Sequence, residues 1–533
     1  MKQGRFRARV LIAALGLGGL VTGVGLAQSV PNTGQIEGVP GVVMPSPLPE
    51  PTISGTPIPY PAYGTPAPDV ERLTPKKGVP QIISLTDAVR IGVALSPTFA
   101  NENAQWVAIH AKYTSERQAI YPGISANAQI GKDYSNGTTS SGGGITPSSR
   151  PSTGPSPAAV FGLATAAPVS HATVTNESAT ITITQLIFDG GRTIAAIRSA
   201  KEADVAGRGT LLRDLQTLEL NVANAYYAVL EDNATVAADA QLVREFEVNE
   251  ASVAAQIRNG AAARSDIAAA QFQTAQAKGN LVTAQGTAIG AQATFATTLG
   301  LDADAMVVPK SLSAQPTAPN PSYAVSLKRA LIMRPDYISA AYSVYSARDN
   351  VRYAKLARFP ILSAAASDGV TRQFIDCFSS TETVKGIVVP ISACPGNGSW
   401  TNDKTIGLQL SIPIYDQGQT NYNVAVAASE LDQAIANLNL TRLTVESNVR
   451  SALATLISAR SSFVQARSEL TSAQVSLDAT QAQYKVGATT ILNVVTAEAN
   501  LTTAQSGYIT ALYGVYTAEE NYLYAMGMSD VQL

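Results

Sequence analysis

Phe188-Asp189-Gly190-Gly191 recurs as Tyr415-Asp416-Gln417-Gly418 at an offset of 227 residues, and this recurrence determines how the chain is organised. The same offset relates Gly260 to Gly487. An aspartate followed closely by glycine is typical of a helix start, because the carboxylate accepts hydrogen bonds from free helix N–H groups and glycine allows a change in backbone direction. Both stretches are therefore predicted to lead from a strand into a helix.

A second set of matches indicates that the two halves differ in a single loop. Tyr121-Pro122 matches Phe359-Pro360 at an offset of 238 residues. The offset therefore changes once, by 11 residues, between Pro122 and Asp189. Two structural repeats are the economical explanation, and we place them at 81–308 and 309–533.

Each repeat is predicted to open with two helices that meet at a proline. These helices are expected at 84–95, 97–120, 323–333 and 336–358. Ser84 and Asp87 have the spacing of a capping box at the first of them. Pro122 and Pro360 end the second helix of each pair, because proline cannot continue the backbone hydrogen bonds.

The segments after these prolines alternate apolar and polar residues, which predicts strands. The clearest is 405–415, whose apolar positions are Ile406, Leu408, Leu410, Ile412 and Ile414. Weaker strands begin at Ile124, Ile181 and Ile361. A strand of about ten residues with one apolar face suits a membrane-spanning barrel, although an ordinary half-buried sheet also fits. Loops on the cell exterior are expected at 135–170 and 371–404.

Very long helices should follow the strands. The stretch 191–259 contains no proline, and 419–486 contains neither proline nor glycine. Apolar residues recur there at spacings of three, four and seven, as in coiled coils; they include Leu438, Val445, Val449, Leu456 and Phe463. A helix of this length extends about 100 Å, which suits a span across a periplasm. Gly260 and Gly487 mark the turns from which return helices run.

The N-terminal region is predicted to be an export signal followed by a linker. Residues 1–27 have a basic start, an apolar stretch and a small-x-small cleavage site that ends at Ala27, as secretory signals do. Residues 28–80 are proline-rich, with 13 of the 29 prolines between 31 and 80, and are expected to be extended.

Composition argues against several classes of function. The formal net charge is −2, so nucleic acid is not an expected partner. Cys377 and Cys394 are the only cysteines. We expect a disulfide that stabilises a short exterior loop by roughly 3 kcal/mol, with two free thiols as the alternative. His110 and His171 lie in different segments, so no metal site is expected, and no acid–base cluster indicates an enzyme.

Over about 81–528 the chain resembles the TolC outer-membrane efflux family. The resemblance rests on the duplicated helix-helix-strand-strand-helix-helix order, the two Asp-x-Gly elements and the glycine turns. It implies a mainly α fold with membrane β structure: a homotrimer with a 12-stranded β-barrel in outer-membrane lipid, exterior loops and a 12-helix periplasmic barrel. From the strands alone, two or more subunits are allowed, because four strands cannot close a barrel.

The resemblance also implies the function and its partners. The chain would be the outer-membrane exit channel of a tripartite efflux or type I secretion system, passively exporting small molecules or proteins. Its partners would be a periplasmic adaptor and an inner-membrane pump of RND, ABC or MFS type, and it would need no cofactor. A structural or adhesive trimeric coiled coil is the alternative, although an adhesin would not repeat its strands internally.

By resemblance, the two hairpin turns at the inner tip contact the adaptor. The matching residues are Asn259, Gly260 and Ala261 in the first repeat and Val486, Gly487 and Ala488 in the second. Asn259 stands where valine is usual. Simple helix reversal is the alternative role for these residues.

The resemblance places the pore constriction and gate beside these turns, at Asp266, Tyr484, Asn493 and Thr496. Family members have an acidic ring in the constriction, but Asn493 and Thr496 are neutral. They also lock the closed state with an Asp–Arg–Tyr network, of which Asp266 and Tyr484 match two parts. Thr489 occupies the arginine position, and Arg264 is a candidate substitute. We therefore expect weaker polar contacts in the closed state.

Overall fold

A computed structural model of the protein describes residues 81–138, 169–260, 263–312, 321–375, 378–384, 387–393 and 398–528. The expected signal and linker, Ala261, and the Cys377–Cys394 pair lie outside these ranges. The elements of the first half are β1 (Gln81–Ile83), α1 (Leu85–Leu95), α2 (Pro97–Gln118), β2 (Gly123–Thr138), β3 (Val169–Phe188), α3 (Arg192–Arg258), α4 (Arg264–Thr298) and β4 (Val307–Pro309). Those of the second are α5 (Tyr323–Met333), α6 (Pro335–Leu356), β5 (Ile361–Ile375), β6 (Phe378–Val384), β7 (Ile387–Ala393), β8 (Thr401–Ser411), α7 (Gln419–Lys485) and α8 (Ile491–Ala525).

The helices of the two halves correspond at the predicted offsets. Helices α3 and α7 both have 67 residues, and their start and end residues differ by 227. Helices α4 and α8 have 35 residues each and differ by the same offset. The pairs α1–α5 and α2–α6 are related by 238. The duplicated order of elements is thus confirmed.

One antiparallel sheet joins the two halves. Its strand order is β2-β3-β5-β8. Gly123 pairs with Thr184 in the first half and Ile361 with Ser411 in the second, so the register within each pair is also repeated. The β3–β5 contact connects the halves, and β2 and β8 are the two edges of the sheet.

Most strand ends extend further than the alternation predicted, whereas β8 ends at Ser411, four residues before the predicted end at Tyr415. Strand β2 continues to Thr138 and β3 begins at Val169, inside the expected loop 135–170. Strands β6 and β7 form an antiparallel hairpin within the expected loop 371–404, and β8 starts at Thr401. The extensions of β2, β3 and β8 are mostly polar and lack an apolar stripe, so backbone pairing with a neighbouring strand extends them where the side-chain pattern gives no signal. Strand β7 is instead rich in β-branched residues, which the prediction of a loop over this segment overlooked. The parallel pair of β1 and β4 was also not predicted.

The apolar stripes of the long helices form the core. Helix α3 packs against α1, α2, α4, α6 and α8, and α7 packs against α5, α6 and α8. Most residues of the predicted apolar stripe of α7 are buried: Leu438, Val445, Val449, Leu453, Leu456 and Phe463. The first two positions of the stripe, Leu431 and Ile435, are partly buried. In α3, Val222, Tyr226 and Val229 are buried against Phe295 of α4 and Leu299. Each such side chain contributes roughly 1.5–3 kcal/mol on burial. Within the described ranges, the structure has no helix with the length and hydropathy needed to cross a membrane.

The Asp-x-Gly elements start the long helices, as predicted. Asp189 accepts hydrogen bonds from the N–H groups of Gly191, at 2.9 Å, and Thr193, at 2.6 Å. Asp416 makes the equivalent bonds at the start of α7. Ser84 likewise caps α1 through the N–H of Asp87.

The two elements differ at their third position. Gly190 has φ +71°, and a Cβ placed there would overlap the side chain of Phe359 between α6 and β5. Gln417, its counterpart, has φ +54° and carries a side chain. A left-handed backbone at a residue other than glycine costs roughly 1–2 kcal/mol. The two helix starts therefore share the hydrogen bonds of the aspartate but differ in the residue and the packing at the third position.

Candidate gate at the hairpin tips

The ends of the two helical hairpins are exposed turns built on glycine. Helix α3 ends before Asn259 and Gly260, and Gly260 has φ +73°. Helix α7 ends before Val486 and Gly487, and Gly487 has φ +78°. Both backbones need the left-handed region, which glycine enters at least cost. The Val486 side chain is 78% exposed, so the second tip presents an apolar group to its surroundings.

Tyr484 and Asp266, two of the expected gate residues, are in contact. The Tyr484 hydroxyl donates a hydrogen bond to Oδ2 of Asp266 at 3.1 Å. This bond connects α7 to α4 and thus one hairpin to the other. Burial raises the pKa of Tyr484 to about 12, and the Asp266 carboxylate adds to this increase. The hydroxyl is therefore a hydrogen-bond donor throughout the neutral range.

The other two expected residues lie on the first turns of α8. Asn493 donates a hydrogen bond to the Thr489 hydroxyl at 2.7 Å, and the Thr496 hydroxyl bonds to the Leu492 carbonyl within its own helix. Asn493 and Thr496 are exposed and three residues apart, so they share one face of the helix. Both side chains are neutral and polar. Among the described residues, neither makes a hydrogen bond to Tyr484 or Asp266.

Arg264 is the candidate substitute for the missing arginine of the gate network. Its side chain is exposed at the start of α4, and the ion pairs recorded among the described residues do not include one between Arg264 and Asp266. The described part of the chain also contains no group of three or more His, Cys, Asp or Glu side chains that could hold a metal.

A buried carboxyl group between the hairpins was not predicted. Glu498 of α8 is 1% exposed, and its Oε1 accepts a hydrogen bond from Asn249 of α3 at 2.8 Å. Its Oε2 is buried without a hydrogen-bond partner. Burial raises the pKa of Glu498 to about 7; the Asn249 bond opposes this and the charge of Glu245 adds to it. In the sequence, only the helical spacing of Glu498 from the apolar residues Val494 and Leu501 could have indicated that its side chain is buried.

The same two helices are joined differently at the C-terminal end of α8, further from the tips. Gln216 of α3 donates to the backbone carbonyl of Gly527 at 2.9 Å. Arg213 donates to the carbonyl of Tyr524 at 2.9 Å and lies over the Tyr524 ring. Thr217 shares a hydrogen bond with the Tyr524 hydroxyl. At the end of this contact that lies further from the tips, side chains of α3 thus bond to backbone carbonyls of the other hairpin. Near the tips, the hydrogen bonds that the described residues make between the hairpins join side chains only.

Comparison with known proteins gives a family match in both repeats. The outer membrane efflux protein family matches residues 93–301 and 326–527. Outer membrane efflux protein BepC of Brucella suis is 26% identical over 315 residues, which span 59% of this chain and 64% of BepC. The chain therefore aligns with less than two thirds of that relative.

Solved structures show the same fold at low identity. A membrane protein from Pseudomonas aeruginosa superimposes with a TM-score of 0.63 at 18% identity, covering 83% of this chain and 93% of its own. The CmeC outer membrane channel of Campylobacter jejuni gives 0.62 at 16% identity, with 83% and 85% covered. Because the family match spans well over half of the sequence and occurs once in each repeat, the chain belongs to the outer membrane efflux protein family, a family of the outer membrane.

Proposed function

We propose that this chain is the exit channel of a tripartite efflux or type I secretion system, through which small molecules or proteins pass passively. The observation that carries the proposal is a sheet with exposed apolar strand residues on two very long helical hairpins. Ile406 and Leu408 of β8 are 90% and 71% exposed, and Ile124 and Ile130 of β2 are 71% and 76% exposed. Apolar strand faces of this kind suit lipid.

The open edges of the sheet support a homotrimer. Strands β2 and β8 have unpaired backbone groups on one side, which cannot be left unsatisfied in lipid. Pairing β8 of one protomer with β2 of the next removes every edge. Three protomers then supply 12 strands to a barrel and, from α3, α4, α7 and α8, 12 long helices to a periplasmic tunnel.

The repeat correspondence supplies a register for this pairing. Within the chain, Thr182 of β3 pairs with Ser367 of β5. Shifting by the repeat offsets places Gln409 of β8 opposite Gln129 of β2 in the next protomer. Directly opposed residues of antiparallel strands have Cα atoms about 4.5–5.5 Å apart, which lies within the range of about 4.4–6.8 Å that a disulfide spans.

A paired-cysteine experiment tests this register. The Gln409→Cys/Gln129→Cys variant should give covalent trimers on a non-reducing gel. A Gln409→Cys/Ser125→Cys variant, shifted by four residues along the same strand, should not. Each single variant controls for the native cysteines. Equal cross-linking of the matched and shifted pairs would contradict the proposed joint.

The hairpin tips are the proposed adaptor contact. Asn259, Gly260, Val486, Gly487 and Ala488 are exposed at the two turns, and Ala261 completes the set proposed from sequence. Small exposed side chains allow a partner backbone to approach closely. The inner-membrane pump, of RND, ABC or MFS type, would supply energy through this adaptor.

The constriction is proposed to be a neutral polar gate. Asn493 and Thr496 would line it, and the Tyr484–Asp266 bond would hold it closed. Without a ring of carboxylates, the open pore should select poorly for cations. Reversal potentials in a salt gradient test this: the wild type should be weakly selective and Asn493→Asp should become cation-selective. Strong cation selectivity of the wild type would contradict the proposal.

The deciding experiment is conductance of the purified, detergent-solubilised chain in a planar bilayer, with its oligomeric mass measured in parallel. A trimer that forms discrete channels supports the exit-channel function. A monomer, or an oligomer that does not conduct even when Tyr484→Phe is introduced, would favour a structural or adhesive role. The internal position of both strand pairs and the family match do not favour that alternative.

A further inference from the structure

The contact between α3 and α8, called the hairpin seam below, joins the two helical hairpins of each protomer. Its end further from the tips is held by bonds to the backbone carbonyls of Tyr524 and Gly527. Further along the seam, the Tyr227 hydroxyl donates to Glu520 at 3.2 Å, and nearer the tips Asn249 donates to Glu498 at 2.8 Å. A movement of α8 relative to α3 at the tips therefore has to break or hydrate the Asn249–Glu498 pair.

The Glu498 carboxyl group is placed at this point in an apolar setting. Leu242, Val243 and Phe246 of α3 form a buried cluster with Val494 and Leu501 of α8. Glu498 lies between those two α8 residues and is as buried as they are. One of its oxygens has a donor and the other has no partner. A charged carboxylate in this setting is costly to bury, whereas the neutral acid is much less so.

We propose that Glu498 is a proton-controlled latch of the hairpin seam: the seam is closed while the carboxyl group is protonated and loosens, admitting water, when the group ionises. The geometry that carries this inference is a fully buried carboxyl group with one unpartnered oxygen, at the end of the seam where backbone bonds no longer hold the helices. The effect on conduction rests on the proposed channel function, but the effect on the seam does not.

Charged groups of the surrounding helices do not neutralise Glu498. On α3, Glu245 carries the same charge and raises the pKa of Glu498 further. A cavity of about 430 Å³ beside the seam is lined by Arg244 of α3 and by Asp478 and Lys485 of α7.

On α4, the charged residues are Arg264, Asp266 and Lys278. Asp266 accepts the Tyr484 bond, and Lys278 pairs with Glu247 at 2.8 Å. The local charges thus favour the neutral form of Glu498, in agreement with its burial.

The direction of the pH effect follows from the raised pKa. In the closed seam the pKa of Glu498 is about 7, against an ordinary value of 4.5 in a hydrated, open seam. Below pH 4.5 Glu498 is protonated in both forms, so its ionisation does not destabilise the closed form. As the pH rises from 4.5 to about 7, the closed form loses stability relative to the open form, and above about pH 7 this loss is complete and constant. The largest possible change in the open-to-closed ratio is about 300-fold per protomer.

Hydrogen exchange of the full-length protein measures the seam directly. Amides of residues 491–505 are compared between wild type and Glu498→Gln, which keeps the shape and remains neutral. Because both are measured at each pH, the intrinsic pH dependence of exchange cancels. The wild type should exchange faster by up to about 4-fold at pH 5 and by up to about 300-fold at pH 8. Glu469→Gln removes an exposed carboxyl group from α7 and should behave as wild type.

Single-channel recording then measures the consequence for the gate. The wild-type open probability should rise between pH 5 and pH 8, and Glu498→Gln should keep its low value at both. Equal exchange of wild type and Glu498→Gln at pH 8, or a ratio that does not change with pH, would overturn the latch. Absence of conductance in every variant, together with the expected exchange, would overturn the channel function and leave the latch standing.

Discussion

Removing the Tyr484 hydroxyl tests whether the tip contact between the hairpins holds the gate. In Tyr484→Phe the ring remains and only the bond to Asp266 is lost. A hydrogen bond to a charged group contributes about 1.5–3 kcal/mol. At 3.1 Å this bond is longer than the ideal for a hydroxyl donor, and it is only partly buried, so we expect the lower end of this range, about 1.5 kcal/mol per protomer. The closed-to-open ratio should fall about tenfold for each protomer.

Single-channel open probability in a planar bilayer is the assay. Tyr422→Phe is the matched control, since Tyr422 is on the same helix and 65% exposed. If the three protomers open together, the effects multiply to about a thousandfold. The pKa of Tyr484 is raised to about 12, so its bond contributes fully below the ordinary value of 10 and is lost only as the pH rises through 12. The effect should therefore be constant between pH 6 and 9. An open probability equal to that of Tyr422→Phe would refute the reasoning.

Three further tests, two of them with a matched control substitution, address other parts of the fold. Gly487→Ala should destabilise the second tip by about 1–2 kcal/mol, because alanine is strained at φ +78°. The control is Gly286→Ala within α4, where a Cβ meets nothing within 4 Å, and it should stabilise the protein by about 0.5–1 kcal/mol. The thermal unfolding temperatures of the two variants should therefore shift in opposite directions. Leu408→Arg on the exposed apolar face of β8 should reduce insertion by about 2–4 kcal/mol, while Gln409→Arg on the other face should insert normally, and equal insertion measured by membrane fractionation would argue against the assigned faces. Asp189→Ala removes both caps from the start of α3 and should lower stability by about 0.5–2 kcal/mol, and an unchanged unfolding temperature would show that the cap is dispensable.

The long helices could be predicted because several independent features of the sequence indicate them. Proline is absent, the apolar spacing matches a helical stripe, and the glycine turns occur at the repeat offset. The stripe residues Val445, Val449 and Leu456 are buried as expected. The strand ends could not be predicted, because the extensions of β2, β3 and β5 are polar and gain their structure from a neighbour's backbone.

The candidate site was predictable only in part. The pairing of Tyr484 with Asp266 joins residues 218 apart, and only the family resemblance brought them together. Glu498 was missed, since a glutamate among alanines and asparagines on a helix normally faces solvent. Its burial arises from the crossing of α3 and α8, which is a tertiary feature that local periodicity does not contain.

The unequal surroundings of Gly190 and Gln417 have a consequence for the origin of the molecule. By the repeat correspondence, the joint between β3 and β5 within the chain has a counterpart between β8 and β2 of neighbouring protomers, so the trimer would have six quasi-equivalent joints. An ancestor of half the length would have needed six identical subunits and one sequence for all six. After such a duplication and fusion, the joint within the chain would be free to tighten, and in this chain Phe359 lies against a residue that has no side chain. Gln417, at the proposed joint between chains, carries a side chain, so three joints of the proposed trimer would be permanent while three would still have to assemble.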